Sequence, residues 1–145
     1  MLSTISETLV HILFLAWRLK GCSLQCVVTV MLMELGIPTK CVGFALIKEA
    51  VLLYFTNPTR VFFKDIYLEI SKRYDQCSEE QIDQAIRDAI KIAWKQGNRT
   101  AWSWYFAYGS SVLQKPTNGE FISRLAYTLD LWKGCCREEV CCERE

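Results

Sequence analysis

The stretch YDQCSEEQIDQAIRDAIKIAWKQGN, Tyr74 to Asn98, decides the fold. Ser78 and Gln81 stand at capping-box spacing: the serine hydroxyl can accept from the Gln81 amide while the glutamine side chain reaches back to the Ser78 amide. Behind that start, Ile82, Ile86, Ala89, Ile90 and Ala93 recur at three- and four-residue intervals, which makes one face of a helix apolar. Lys95, Gln96 and Gly97 close it with a cation near the negative end of the helix dipole and a glycine suited to a left-handed cap. Just upstream, RVFFKDIYLEISKRYDQ places Phe62, Ile66, Ile70 and Tyr74 four apart on one helix face. Two amphipathic helices joined by so short a turn are a helix-turn-helix in outline.

Working outward, glycine and proline punctuate the rest of the chain into further helices. TISETLVHILFLAWRLKG opens with Thr4 and Glu7 at capping-box spacing and ends at Gly21. SLQCVVTVMLMELGIP stops at Gly36 and Pro38; its valine-rich middle also fits a strand. KCVGFALIKEAVLLYFTNP breaks at Asn57-Pro58, and AWSWYFAYGSSVL predicts an aromatic-rich core helix. KPTNGEF starts the last helix, with Thr117 and Glu120 again at capping-box spacing, and that helix runs through Leu125, Leu129 and Trp132. No alternating polar and apolar run bounded by hairpin turns is present, so the expected fold is all-α. It is a compact bundle of about six helices containing the helix-turn-helix, plus an extra N-terminal helix. The domain is expected over residues 32–133, behind a helical extension over 1–31 and ahead of a polar, Cys- and Glu-rich tail over 134–145.

The 145 residues suffice for one domain with its own core. The apolar run Leu9 to Trp17 is too short to span a bilayer. Glu7 before it, and Arg18 and Lys20 after it, are the wrong flanks for a signal peptide. Its apolar residues Leu9, Ile12, Leu13, Leu15, Ala16 and Trp17 predict a helix that docks on the domain or makes a dimer contact. The eight cysteines sit in a chain of long helices, not in a short loop-rich scaffold, which points to a reducing, cytoplasmic setting and no membrane. Most of the scattered thiols, Cys22, Cys26, Cys41 and Cys77, read as small buried hydrophobes. Cys135, Cys136, Cys141 and Cys142 are weak candidates for a soft metal, because adjacent cysteines rarely close one tetrahedral site and their spacing is not that of a zinc knuckle. No cofactor is implied. Asn98-Arg99-Thr100 matches a glycosylation acceptor, but Gly97-Asn98 is better explained as a helix stop.

Enzyme motifs are missing. His11 is the only histidine and lies in an apolar run, where a packing role is the simpler reading. Gly109-Ser110-Ser111 lacks the second glycine of a nucleophile elbow, and no phosphate-binding glycine loop is present. The outer face of the opening helix is more informative. Gln81, Asp83, Gln84, Arg87 and Asp88 are a set that could read base edges: glutamine on adenine, arginine on guanine, aspartate on cytosine. Arg60, Lys64, Lys72, Arg73, Lys91, Lys95 and Arg99 on or near the two helices could meet phosphates. The plain alternative is a solvated face of mixed sign with an Asp83–Arg87 pair. The formal net charge of +1 gives no global pull toward nucleic acid.

Four runs carry a family resemblance. LMELGIPTKCVGFALIKEAV, DIYLEISKRY, QAIRDAIKIAWKQGN and KPTNGEFI, from about Leu32 to Trp132, resemble in order and spacing the C-terminal effector domain of the stage zero sporulation protein A family of endospore-forming bacteria. The resemblance implies an all-helical DNA-binding domain whose recognition helix is the opening stretch, at about residues 79–96, with double-stranded DNA as partner. It implies a transcription regulator, here a stand-alone one without the receiver domain of full-length members. A homodimer or pairing with a related regulator is a further expectation. The alternative is a protein-interaction module that kept the fold, lost DNA binding, and pairs with or titrates a full-length regulator. The family's recognition helix carries Glu-Arg where this chain has Asp83-Gln84, and Arg-His where it has Arg87-Asp88. Arg87 is thus the one matching basic reader.

Overall fold

A computed structural model describes residues 2–57, 63–74, 77–106 and 114–144, with side chains described from Thr8 to Cys136 within those ranges. Among the described residues there are seven helices and no strand: α1 (Leu2–Arg18), α2 (Leu24–Leu35), α3 (Val42–Thr56), α4 (Phe63–Arg73), α5 (Glu79–Gln96), α6 (Arg99–Phe106) and α7 (Asn118–Arg144). The valine-rich middle of α2 is helical, because Ser23 accepts from the Cys26 amide at its start and Gly36, at φ 87°, closes its end. The Gly36 and Ile37 amides fold back to Met33 and Leu32 carbonyls, which satisfies acceptors a helix end otherwise leaves bare.

α3 is the apolar axle. It packs against α2, α4, α5 and α7, and Leu46, Ile47, Ala50 and Val51 are fully buried. Gly43 near its start lets α5 approach closely: a Cβ there would lie 2.6 Å from both the Ala85 carbonyl oxygen and the Ala89 Cβ. α6 supplies the aromatic core, with Trp102 edge-on to Trp94 and tilted against Phe106 and Phe121. The Trp102 indole N–H donates to the Leu35 carbonyl at 3.0 Å, so one bond ties α6 to the end of α2.

α1 lies on α6 and α7. Ile12, Leu15 and Ala16 are buried, whereas Leu9, Leu13 and Trp17 are exposed, so only half of the apolar set docks. His11 is buried and stacks on Trp104 at 4.0 Å; its Nε2 lies 3.1 Å from both Glu34 Oε1 and the Tyr105 hydroxyl. The Tyr105 hydroxyl also donates to Glu34, at 2.5 Å. Burial, followed by the Glu34 carboxylate, pushes the Tyr105 hydroxyl far above its ordinary pKa. His11 is therefore a pin between α1, α2 and α6.

Three expectations from sequence need correction. Gly97 is not a left-handed cap: it sits at φ −76°, ψ 168°. Its requirement for glycine is spatial, since a Cβ would fall 2.4 Å from the Ala93 oxygen, 2.5 Å from the Leu35 oxygen and 2.8 Å from Trp102 Nε1. Tyr74, expected on the apolar face of α4, is exposed, because the chain has already left the helix there; Ile66 and Ile70 are buried, and Phe62 lies outside the described residues. The scattered thiols are not fully buried: Cys22, Cys41 and Cys77 are half-buried, Cys22 and Cys77 against the core, and Cys26 is exposed. α7 itself runs on past residue 133 and stays helical to Arg144. Gly134 alone, with open space around it, is too small a penalty (about 1 kcal/mol) to end a helix followed by Arg and Glu.

Candidate nucleic-acid interface

α4 and α5 are the two helices of the helix-turn-helix. Ile82, Ile86, Ala89, Ile90 and Ala93 are all buried, which fixes the rotation of α5 about its axis. The capping box fixes its start: the Gln81 amide donates to Ser78 Oγ at 3.2 Å, and the Ser78 amide donates to Gln81 Oε1 at 2.9 Å. Gln81 is thereby committed to the cap. A cap of two reciprocal bonds is worth roughly 1 kcal/mol, so the Gln81 side chain is tethered at the very tip of the helix.

The other four reader candidates form one chain of contacts along the outer face. Arg87 donates to Asp83 Oδ2 at 2.6 Å and to Gln84 Oε1 at 3.1 Å, and Gln84 donates to Asp88 Oδ1 at 2.8 Å. Asp83 is the most constrained, because the Asn118 amide also donates to its carbonyl and to Oδ1, each at 2.9 Å. Asn118 is the first residue of α7, so Asp83 joins the outer face of α5 to α7. Arg87 is about half exposed at its side chain, and Gln84 and Asp88 are exposed.

Beside this face lies a cleft between α4, α5 and the start of α7. Tyr67, Asp83, Arg87, Lys115 and Asn118 line it. Burial is the main cause that lifts the Tyr67 hydroxyl to about 12; the Asn118 bond and the Arg87 charge oppose the rise, and Asp83 adds to it. Lys115 is an exposed cation next to Arg87 that was not singled out from the sequence. In the sequence KPTN marks a helix start and a family run, and the loop's proximity to α5 is a tertiary fact. The capping bonds at Thr117 and Glu120 are present: the Glu120 amide donates to Thr117 Oγ1 at 3.2 Å.

The phosphate candidates divide into two groups. Arg73 is paired with Glu49 at 2.6 Å, Lys72 lies 3.9 Å from Glu69, and Arg99 stacks over Trp94 at 4.3 Å. Lys64, Lys91 and Lys95 are exposed. Arg60 lies outside the described residues. For the metal candidates, Cys135 and Cys136 are half-buried on α7, with Cys136 Sγ 3.9 Å from the Ala16 oxygen. Cys141 and Cys142 side chains lie outside the described residues, and among the described residues no group of three or more potential ligands could hold a metal. Asn98 has a local job: its Oδ1 accepts from the Thr100 amide and starts α6.

These features define an all-helical helix-turn-helix domain with a polar, mixed-charge outer face on its second helix. Residues 28–129 match the family described as sporulation initiation factor Spo0A, C terminal. The match starts inside α2, ends inside α7 and spans most of the chain, so the chain belongs to that family. The family is one of DNA-binding sporulation regulators and not an enzyme family. Among the described residues, no helix is long and apolar enough to cross a membrane.

Proposed function

We propose that the chain is a cytoplasmic transcription regulator that binds double-stranded DNA sequence-specifically, with α5 in the major groove. The observation that carries this reading is the state of Arg87: half exposed, set on the outer face, and hydrogen-bonded among the described residues to Asp83 and Gln84 of its own helix. An exposed pair at this spacing is worth about 0.3–0.5 kcal/mol, whereas a bidentate arginine–guanine contact discriminates by about 1–3 kcal/mol. A guanine therefore outbids Asp83 for the guanidinium. Gln84 and Asp88 are the neighbouring readers. Asp83 orients Arg87 from its bond to Asn118, and Gln81 sits at the helix tip. Lys91, Lys95, Arg73 and Arg99 meet phosphate, with Lys64 and Lys72 at the flanks.

One observation favours the second reading, a module that pairs with or titrates a related regulator. α5 carries Glu79, Glu80, Asp83 and Asp88 against Arg87, Lys91 and Lys95, so its own field repels phosphate. Fluorescence anisotropy of the purified chain against a random duplex pool at low salt separates the two, followed by selection of bound sequences. Enrichment of one motif is the expected result. A folded, helical protein with no binding at low salt would overturn the first reading in favour of the second.

A further inference from the structure

α1 lies before the residues that match the family, and it is apolar on two opposite faces. One face carries Ile12, Leu15 and Ala16, buried against α6 and α7 and pinned by His11. It is also held through its backbone, because the Trp132 indole donates to the Leu15 carbonyl at 3.3 Å. α1 is thus a docked element, not a loose arm. Its other face carries Leu9 (51% exposed), Val10 (62%), Leu13 (53%), Phe14 (44%) and Trp17 (72%). At 100° per residue these five fall within a single arc of about 140°, opposite the buried one. Over Leu9 to Trp17 α1 is apolar on both faces, and a segment of that kind is normally covered on both. The domain covers half.

We propose that a second copy of this chain covers the other half, through an antiparallel α1–α1 pair about a two-fold axis beside Leu13 and Phe14. Area is the first argument. Scaling ~150–250 Å² per large side chain by the exposed fractions gives a patch of roughly 500–600 Å², at the upper limit for a monomer. Two such patches bury roughly 1,000–1,200 Å², the lower edge of what specific dimers bury, and rim residues add to it. Shape is the second argument. An isologous contact needs a patch that complements itself. With the axis between residues 13 and 14, Leu13 of one copy meets Phe14 of the other, and the small Val10 meets the large Trp17. The patch thus closes on itself, small against large, and leaves the exposed Arg18 at its edge.

Sedimentation equilibrium on the full chain over a range of concentrations tests this. The expected species is twice the 16.8 kDa monomer mass. Leu13→Glu and Leu13→Lys each introduce charge at an exposed position, so circular dichroism and melting stay unchanged while each variant alone becomes monomeric. Because Leu13 lies beside the two-fold axis in both copies, the two introduced charges of opposite sign come close in a mixed pair, and mixing the variants restores a dimer. Three results would overturn the proposal: a wild-type monomer at about 100 μM, well above a micromolar Kd; variants that still dimerise; or a wild-type monomer that co-sediments with anionic phospholipid vesicles, which would make the face a lipid contact.

Discussion

A single side chain, Arg87, separates the two accounts of α5. Arg87→Ala removes an exposed pair with Asp83, so stability should move by no more than about 0.5 kcal/mol in urea melts. If Arg87 reads guanine, specific binding should weaken by about 1–3 kcal/mol, with preference relaxed at one base position. Unfolding with residual preferences intact would make Arg87 a structural partner of Asp83. Tyr67 gives a second test at this scale. Its hydroxyl is held at about 12, above the ordinary 10, so the folded state resists ionisation that the unfolded chain accepts. The sign follows: this contribution is fully present below pH 10 and is lost as pH rises from 10 to 12. Tyr67→Phe should flatten the fall in melting temperature over that window without abolishing it, since Tyr105 is raised in the same direction; an unchanged slope would refute the assignment. Much of this was legible in the letters. The Ser78–Gln81 cap and the Asp83–Arg87 spacing are local, and local rules find them. Asn118 on Asp83 and Lys115 beside Arg87 are not local, because 35 residues separate Asn118 from Asp83.

Between elements, glycines set how closely helices approach. Gly43→Ala gains about 1 kcal/mol of helix propensity. Against that, the new Cβ meets the α5 backbone at Ala85 and the Ala89 Cβ, both at 2.6 Å, and neither belongs to a flexible chain end. Overpacking of this kind costs about 1–3 kcal/mol, so the steric effect prevails and α5 is pushed off its seat. Gly43→Ala should therefore lower the melting temperature and weaken DNA binding together, whereas Gly43→Ser would do so more severely. A stabilised variant would show that α3 and α5 have room to separate. The periodicity of α5 announced its buried face completely, because an amphipathic stripe needs no knowledge of its partner. α1 was only half legible: its apolar residues predicted docking, yet which of them dock depends on α6 and α7. Gly97 failed for the same reason. The sequence showed a glycine at a helix end, and the usual cause there is a positive φ. The actual cause is the crowding of Leu35, Ala93 and Trp102 around one Cα.

Over the whole molecule, charge decides how DNA is held. A net charge of +1 provides little long-range steering, and the acids of α5 oppose it locally. Affinity must then come from a small number of close phosphate contacts. Arg73 and Lys72 are engaged with Glu49 and Glu69, so they would have to leave those partners, at about 0.2–1 kcal/mol for an exposed pair. Lys64, Lys91 and Lys95 are the exposed alternatives. Each phosphate neutralised contributes about 0.9 to the slope of log K against log salt, so a grip of three to seven contacts predicts a slope of about −3 to −6. Lys91 stands one turn beyond Arg87 on the same face, nearer the end of α5. A lysine there, with a compact charge and no planar fork, suits a phosphate better than a base edge. Lys91→Ala should therefore weaken every duplex by a similar factor and make the slope shallower by about one unit, leaving the selected motif unchanged. Measuring affinity for the selected site and a scrambled duplex at four salt concentrations distinguishes the roles. A shifted motif with an unaltered slope would make Lys91 a base reader and move the centre of the DNA contact one turn along α5.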